Sequence, residues 1–390
     1  MVLSRNILKK NIYPIDRVKN HLRDAGAKKG DLVTISILMV NELHIASIFA
    51  CAEMGLKVII LDSPATRESL PYTKLALHGP SQFYIHDSLE DTTGIYGGLH
   101  DELMSRYGGK AVDVRQDGSD EYFHVDVSPT DPFLLSSTSG TTKPSRPILF
   151  SHKEVYEISK RNISIFGFTE DSRVVQSRNL HHASAMLTSL LPSLMVTDVH
   201  MNFSIGHDNS HEENASYIKG LHGVYHLGST HIMIPNKREL YDFLDSFPIP
   251  FKRTLNINMC GFALTEEFVE LAKEYNVCFQ SHYGSIDTAI PLLINRVDKD
   301  SIIVPNSLGV LCDDFYKTTL ENGRMKVEHP FWDAPRYMDD HIEMVEDQYV
   351  LMGSRTVDID IPEGFDLTPF SQDTKINYEQ LRGHLHTISP

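Results

Sequence analysis

Leu32-Val33-Thr34-Ile35-Ser36-Ile37-Leu38, then Glu42 to Met54 closed by Gly55, then Lys57-Val58-Ile59-Ile60-Leu61 decide the fold class. The first run is short, mostly apolar and β-branched, and the third is apolar at every position from Val58 to Leu61, as expected of buried strands in a parallel sheet. The middle run has the length and composition of a helix, so the three together read as β-α-β. Upstream, Ile15, Val18 and Leu22 share one helical face, and Gly26 supplies a residue tolerant of the left-handed conformation that ends a helix. Downstream the alternation returns: Thr230 to Ile234 as strand, Arg238 to Phe247 as helix, Leu255 to Met259 as strand, Thr265 to Tyr275 as helix, Val277 to Gln280 as strand. Alternation of this kind predicts an α/β protein with two doubly wound lobes. After about residue 300 the strands shorten, and Phe315 to Leu320 and Arg324 to His329 flank Asn322-Gly323, a tight-hairpin signal that predicts a small antiparallel β lobe.

Composition narrows the function. The chain has 390 residues, 36 Lys and Arg against 52 Asp and Glu, and a formal charge of −16. That balance gives no electrostatic reason to bind nucleic acid or an anionic membrane, and neither is expected as a partner. With 41% hydrophobic and 23% charged residues the chain has ordinary globular composition. Cys51, Cys260, Cys278 and Cys312 are too far apart for a CxxC pair, which fits a reducing compartment. No run reaches the roughly 18 apolar residues of a spanning helix, and a cytoplasmic location is expected.

The stretch that carries chemistry is Ser136-Ser137-Thr138-Ser139-Gly140-Thr141-Thr142-Lys143-Pro144-Ser145-Arg146, which follows the strand-like Phe133-Leu134-Leu135 and precedes Ser151-His152. Hydroxyls and backbone N–H groups around one glycine can wrap a polyphosphate, with Lys143 and Arg146 adding charge. The spacing is not that of a Walker loop. The plain alternative is a flexible Ser/Thr linker.

Thr138-Ser139-Gly140-Thr141-Thr142, Arg146 and Ser151-His152 resemble the phosphate-loop signature of the adenylate-forming (ANL) superfamily, which includes acyl-CoA synthetases, adenylation domains and luciferases. The resemblance continues in order through Asn179-Leu180-His181-His182, Cys260-Gly261-Phe262-Ala263-Leu264, Ser281-His282-Tyr283-Gly284-Ser285-Ile286-Asp287, Asp340 and Gly353-Ser354-Arg355. It implies an ANL-type large domain over 1–354, with a first α/β lobe over about 1–190, a second over 191–300 and a small β lobe over 301–354. Residues 355–390 would be a vestige of the family's C-terminal α+β lobe, with Lys375 to Leu381 resembling the opening of its first helix.

The resemblance implies a reaction and roles. A carboxylic acid would attack ATP to give an acyl-adenylate and pyrophosphate, with Mg²⁺ between the phosphates. Thr138, Ser139, Gly140, Thr141, Thr142 and Arg146 would hold phosphate. Gly261, Phe262, Ala263, Tyr283 and Gly284 would hold adenine, with Tyr283 stacked on the base. Asp340 would accept from the ribose hydroxyls, with Arg355 nearby. His182 would line the acid site. Asp287 would hold the metal, standing where the family usually has Glu, and Ile286 stands for the usual Thr, which removes a hydroxyl. The family's C-terminal lysine has no counterpart in its motif, so a second reading is a non-catalytic or partner-completed nucleotide or acyl-adenylate binder, completed by a separate chain. Beyond the family, a kinase or transferase would give ADP instead of AMP. Acceptors open to an adenylate are CoA, another thiol, an amine or a carrier protein. His182-Ala183-Ser184-Ala185-Met186 lacks the Asp typical of amino-acid-activating relatives, which favours an acyl or aryl acid.

Overall fold

The computed structural model of the chain describes residues 1–10, 12–37, 41–61, 79–87, 104–137, 147–176, 180, 183–197, 199–202, 228–234, 237–247, 250–260, 263–286, 291–329, 332, 334–354, 371–372 and 375–376. The chain divides into two compact units, one of Met1–Thr138 with Arg146–Pro248 and one of Ser139–Ser145 with Ile249–Pro390.

In the first unit the opening β-α-β reading holds. β1 (Leu32–Ile35) is fully buried and lies between β2 (Lys57–Ile60) and β3 (Phe83–His86), parallel to both. β4 (Lys110–Asp113) extends the sheet in parallel beyond β3, and β5 (Pro132–Ser137) does so beyond β2. β6 (Pro147–Ser151) turns back antiparallel to β5, so the Ser/Thr-rich stretch connects two neighbouring strands. β7 (Arg173–Gln176) pairs in parallel with β8 (Val199–Asn202) and β9 (His231–Met233). Helix α1 (Ile15–Ala25) buries Ile15, Val18 and Leu22, and Gly26 ends it at φ 98° with its N–H on the carbonyls of Arg23 and Leu22. Helix α2 (Glu42–Glu53) is buried continuously from His44 to Ala52, which explains why its sequence shows no polar stripe. Helix α3 (His152–Phe166) begins with a capping box: Ser151 Oγ accepts from Glu154 N–H, and Glu154 Oε2 accepts from Ser151 N–H at 2.7 Å.

A charge network that sequence reasoning does not reveal joins the N-terminus to these helices. Arg5 donates to both Asp16 oxygens at 2.6 Å and to Glu53 at 2.7–3.0 Å. Lys19, only 1% exposed, donates to Glu53 Oε2 at 3.2 Å and to the Phe123 carbonyl at 2.7 Å. Its ammonium also lies 4.7 Å from the Phe123 ring centroid. Arg5 holds the Asp16 and Glu53 carboxyls below their ordinary values, against desolvation that pushes Glu53 the other way.

In the second unit β10 (Leu255–Cys260) and β11 (Val277–Tyr283) are parallel and linked by a helix; with α4 (Lys237–Asp245) placed in the first unit, that helix is α5 (Glu266–Tyr275). The sheet turns antiparallel at β12 (Leu293–Val297), slightly before the expected change near residue 300, and continues through β13 (Ser307–Leu311). The expected hairpin is β14 (Lys317–Glu321) and β15 (Arg324–Glu328), with Asn322 and Gly323 at φ 53° and 73° between the Glu321–Arg324 pair. β16 (Arg336–Val345) pairs with β15 and with β17 (Gln348–Ser354), two strands that the sequence reading does not anticipate. Gly309 is required: at φ 89°, an added Cβ would lie 1.9 Å from the Ile294 carbonyl oxygen. Lys375–Ile376, read as the start of a helix, is instead β19, paired antiparallel with β18 (Ser371–Gln372). The α/β class with an antiparallel β region is therefore as expected. Among the described residues, no helix is long and apolar enough to cross a membrane.

Candidate functional site

β11 and β16 bring two expected nucleotide residues together. Tyr283 is the last residue of β11, opposite Leu293, and its carbonyl accepts from Leu292 N–H at 2.8 Å, which fixes the strand end. Asp340 lies on β16 opposite Ser354, just before a register shift between His341 and Ile342. The Tyr283 hydroxyl donates to Asp340 Oδ2 at 2.6 Å across 57 residues of chain. Both side chains are half-buried, so the pair is reached by solvent. A hydrogen bond to a carboxylate is short and strong, and it leaves the second oxygen with acceptor capacity for vicinal hydroxyls. An aromatic face and a carboxylate locked side by side can hold a planar base and its sugar diol.

An aromatic wall stands beside the pair. Tyr283 packs against a core of Leu293, Met325, Met338 and Ile342, which Trp332 also touches. The Arg336 guanidinium sits 4.1 Å from the Trp332 ring centroid. His329 lies 4.9 Å from the Trp332 and Phe315 ring centroids. Sequence reasoning passed over Trp332, Arg336 and His329. The available signal was alternation: Arg336, Met338 and Asp340 fall on one face of a strand.

Ala263 and Gly284 are described and half-buried, Gly284 directly after Tyr283. Thr138, Ser139, Gly140, Thr141, Thr142, Arg146, His182, Gly261, Phe262, Asp287 and Arg355 lie outside the described residues, as does the stretch from His207 to Asn214. Among the described residues no group of three or more His, Cys, Asp or Glu could hold a metal ion.

Ser151-His152, part of the expected signature, is structural here. Ser151 caps α3, and the His152 ring stacks on Phe133 at 4.9 Å. Burial pushes His152 down to about 4, and neither ring nitrogen has a hydrogen-bond partner, so the ring stays neutral.

No family model matches the chain, and no curated protein matches it. Solved structures do. O-succinylbenzoate Coenzyme A Synthetase (MenE) from Bacillus subtilis, in complex with ATP and magnesium ion, superposes with a TM-score of 0.71 at 17% identity, over 91% of this chain and 75% of that one. The unliganded form of the same enzyme gives 0.69 at 15% identity, over 88% and 76%. ATP-bound MatB from Rhodopseudomonas palustris gives 0.66 at 14% identity, over 87% and 72%. At these identities the likeness establishes architecture alone: the chain has the fold of these two proteins, the one expected from the sequence motifs.

Proposed function

We propose that the protein activates a carboxylic acid with ATP, forming an acyl-adenylate and releasing pyrophosphate. The observation that carries this reading is the Tyr283–Asp340 hydrogen bond at 2.6 Å, which joins the residues expected at adenine and at ribose. The shared fold with synthetases solved with ATP and with ATP and magnesium supports it.

The chemistry asks little of a side chain as base, because a carboxylate is already ionised near pH 7. What it needs is placement of two anions in line and neutralisation of their repulsion. Tyr283 offers an aromatic face to the base, with Gly261, Phe262, Ala263 and Gly284 as its proposed neighbours. Asp340 anchors the ribose hydroxyls, with Arg355 beside it. For the phosphates the proposed cradle is Thr138, Ser139, Gly140, Thr141 and Thr142, with Arg146 offsetting charge as the bond to the α-phosphorus forms. His182 is proposed to line the acid site. Asp287 is the proposed Mg²⁺ ligand, a hard oxygen donor suited to that cation; the metal supplies charge neutralisation between phosphates. CoA, another thiol or an amine is the proposed acceptor. We also propose the division into a large domain over 1–354 and a separate element over 355–390.

The test is pyrophosphate release and hydroxamate formation with ATP, Mg²⁺, hydroxylamine and a panel of acyl and aryl acids. AMP and pyrophosphate are the expected products. ATP binding without either product would favour a non-catalytic nucleotide binder, and ADP formation would exclude adenylation.

A further inference from the structure

β10 and β11 present two faces of opposite chemistry. On one, Leu255, Ile257 and Met259 lie in register with Val277, Phe279 and Ser281, and Phe268 of α5 meets Phe279 edge-on at 5.0 Å. On the other, Asn256, Asn258 and Cys260 lie in register with Cys278, Gln280 and His282. Asn258 is 1% exposed and Gln280 5% exposed. Gln280 Nε2 donates to Asn256 Oδ1 at 3.3 Å, yet Gln280 Oε1 and Asn258 Oδ1 are buried without a hydrogen-bond partner.

Buried parallel strands are normally apolar on both faces, because an unpartnered polar atom away from water costs stability that a leucine would not. Two neighbouring side chains here break that rule in the same way and on the same face. They are not at random places along their strands. Two residues beyond Gln280 comes His282, and Tyr283 follows it at the C-terminal end of β11, the end at which open α/β sheets bind ligands. A side-chain amide offers both a donor and an acceptor whichever way it is turned, so its complement is a group that does both: a hydroxyl or a carboxamide.

We propose that the Asn258–Gln280 face recognises the tail of the acid substrate, and that this acid bears hydroxyl or carboxamide groups rather than a plain alkyl chain. The proposal rests on the acid-activating reading above and specifies its substrate class. An alkyl tail laid on this face would leave both amide oxygens unpaired, whereas a donor-bearing tail satisfies them. Discrimination of that sort is large, since a site built around polar groups rejects an analogue that cannot pair with them.

The experiment compares each ω-carboxamide acid from succinamic to adipamic acid with the branched acid in which isopropyl replaces the carboxamide. Binding is followed by thermal shift and equilibrium dialysis, with and without ATP, in the wild type, Asn258→Leu and Gln280→Leu. The expected result is a preference of about tenfold or more for a carboxamide acid in the wild type, lost in both variants, with ATP affinity unchanged and melting temperature equal or higher. Equal binding within every pair, binding of no carboxamide acid, or variants that melt lower while keeping the wild-type preference would each overturn it. Because binding is also read without nucleotide and without turnover, a failure of ATP binding condemns the adenylation reading separately.

Discussion

The charge network under the N-terminus and the amide face of β10–β11 each hold a polar side chain only 1% exposed, and they are opposite in their accounting. Lys19, 1% exposed, has a carboxylate, a carbonyl and an aromatic ring around its ammonium. Asn258, also 1% exposed, has an oxygen with nothing to pair with. Burial alone therefore does not distinguish a group that serves the fold from one that serves a ligand. Whether the hydrogen bonds close within the chain does. Arg5, Asp16, Lys19 and Glu53 form a closed set; the amide row is open, and the Tyr283–Asp340 pair is half of each, closed between its members and open at the second carboxylate oxygen.

The largest test opens the closed set. Glu53→Gln removes the anion shared by Arg5 and the buried Lys19, and we expect a loss of about 3–5 kcal/mol in urea unfolding. A loss below about 1 kcal/mol would mean that the network relaxes into water. Next, Asp340→Ala removes the open half of the proposed nucleotide pair. ATP affinity measured by calorimetry should fall by on the order of 3 kcal/mol with the melting temperature nearly unchanged, and full affinity in this variant would refute the ribose role.

His152 and His231 test the distinction from another side, since burial pushes both down to about 4. The folded state prefers each imidazole neutral, so their contribution is complete above the unfolded value of about 6.5 and is lost as pH falls toward 4. We expect each to cost on the order of 2 kcal/mol by about pH 5. The Asp16 and Glu53 carboxyls, held low by Arg5, act at lower pH, below their ordinary values of 3.8 and 4.5. His152→Phe, which keeps a ring on Phe133, should flatten melting temperature between pH 6.5 and 4.5; an unchanged slope would show that the buried ring does not titrate there. The smallest effect is Tyr283→Phe. It keeps the ring and frees Asp340, so ATP binding should weaken by about 0.5–1.5 kcal/mol, and tighter binding would mean that the hydroxyl competes with ribose for the carboxylate.

How much of this was legible depended on whether the signal was local. α1, α2, the β10–α5–β11 unit and the Asn322–Gly323 hairpin were readable because apolar runs and a left-handed turn leave marks within a few residues. β16 was not: Arg336-Tyr337-Met338-Asp339-Asp340-His341-Ile342 alternates only until the shift after His341. The turn that follows it uses Glu346 and Asp347 at positive φ, 49° and 62°, where a glycine would have announced it. Asp340 was reachable through motif order, but its partnership with Tyr283 was not. The Arg5–Asp16–Glu53 ion pairs were illegible because they span up to 48 residues and no spacing rule connects them. The amide row was overlooked because each strand alone reads as an apolar run with tolerated polar residues, and only the register sets Asn258 beside Gln280.

Trp332 is the chain's single tryptophan, and it shares a hydrophobic cluster with Tyr283 while stacking under the Arg336 guanidinium. Tryptophan emission from the protein consequently originates at one indole, in the same cluster as the Tyr283 of the proposed adenosine site. A shift of β16 by a fraction of an ångström alters the electric field on that chromophore, so the proposed site would carry its own optical gauge of occupancy, with no attached dye.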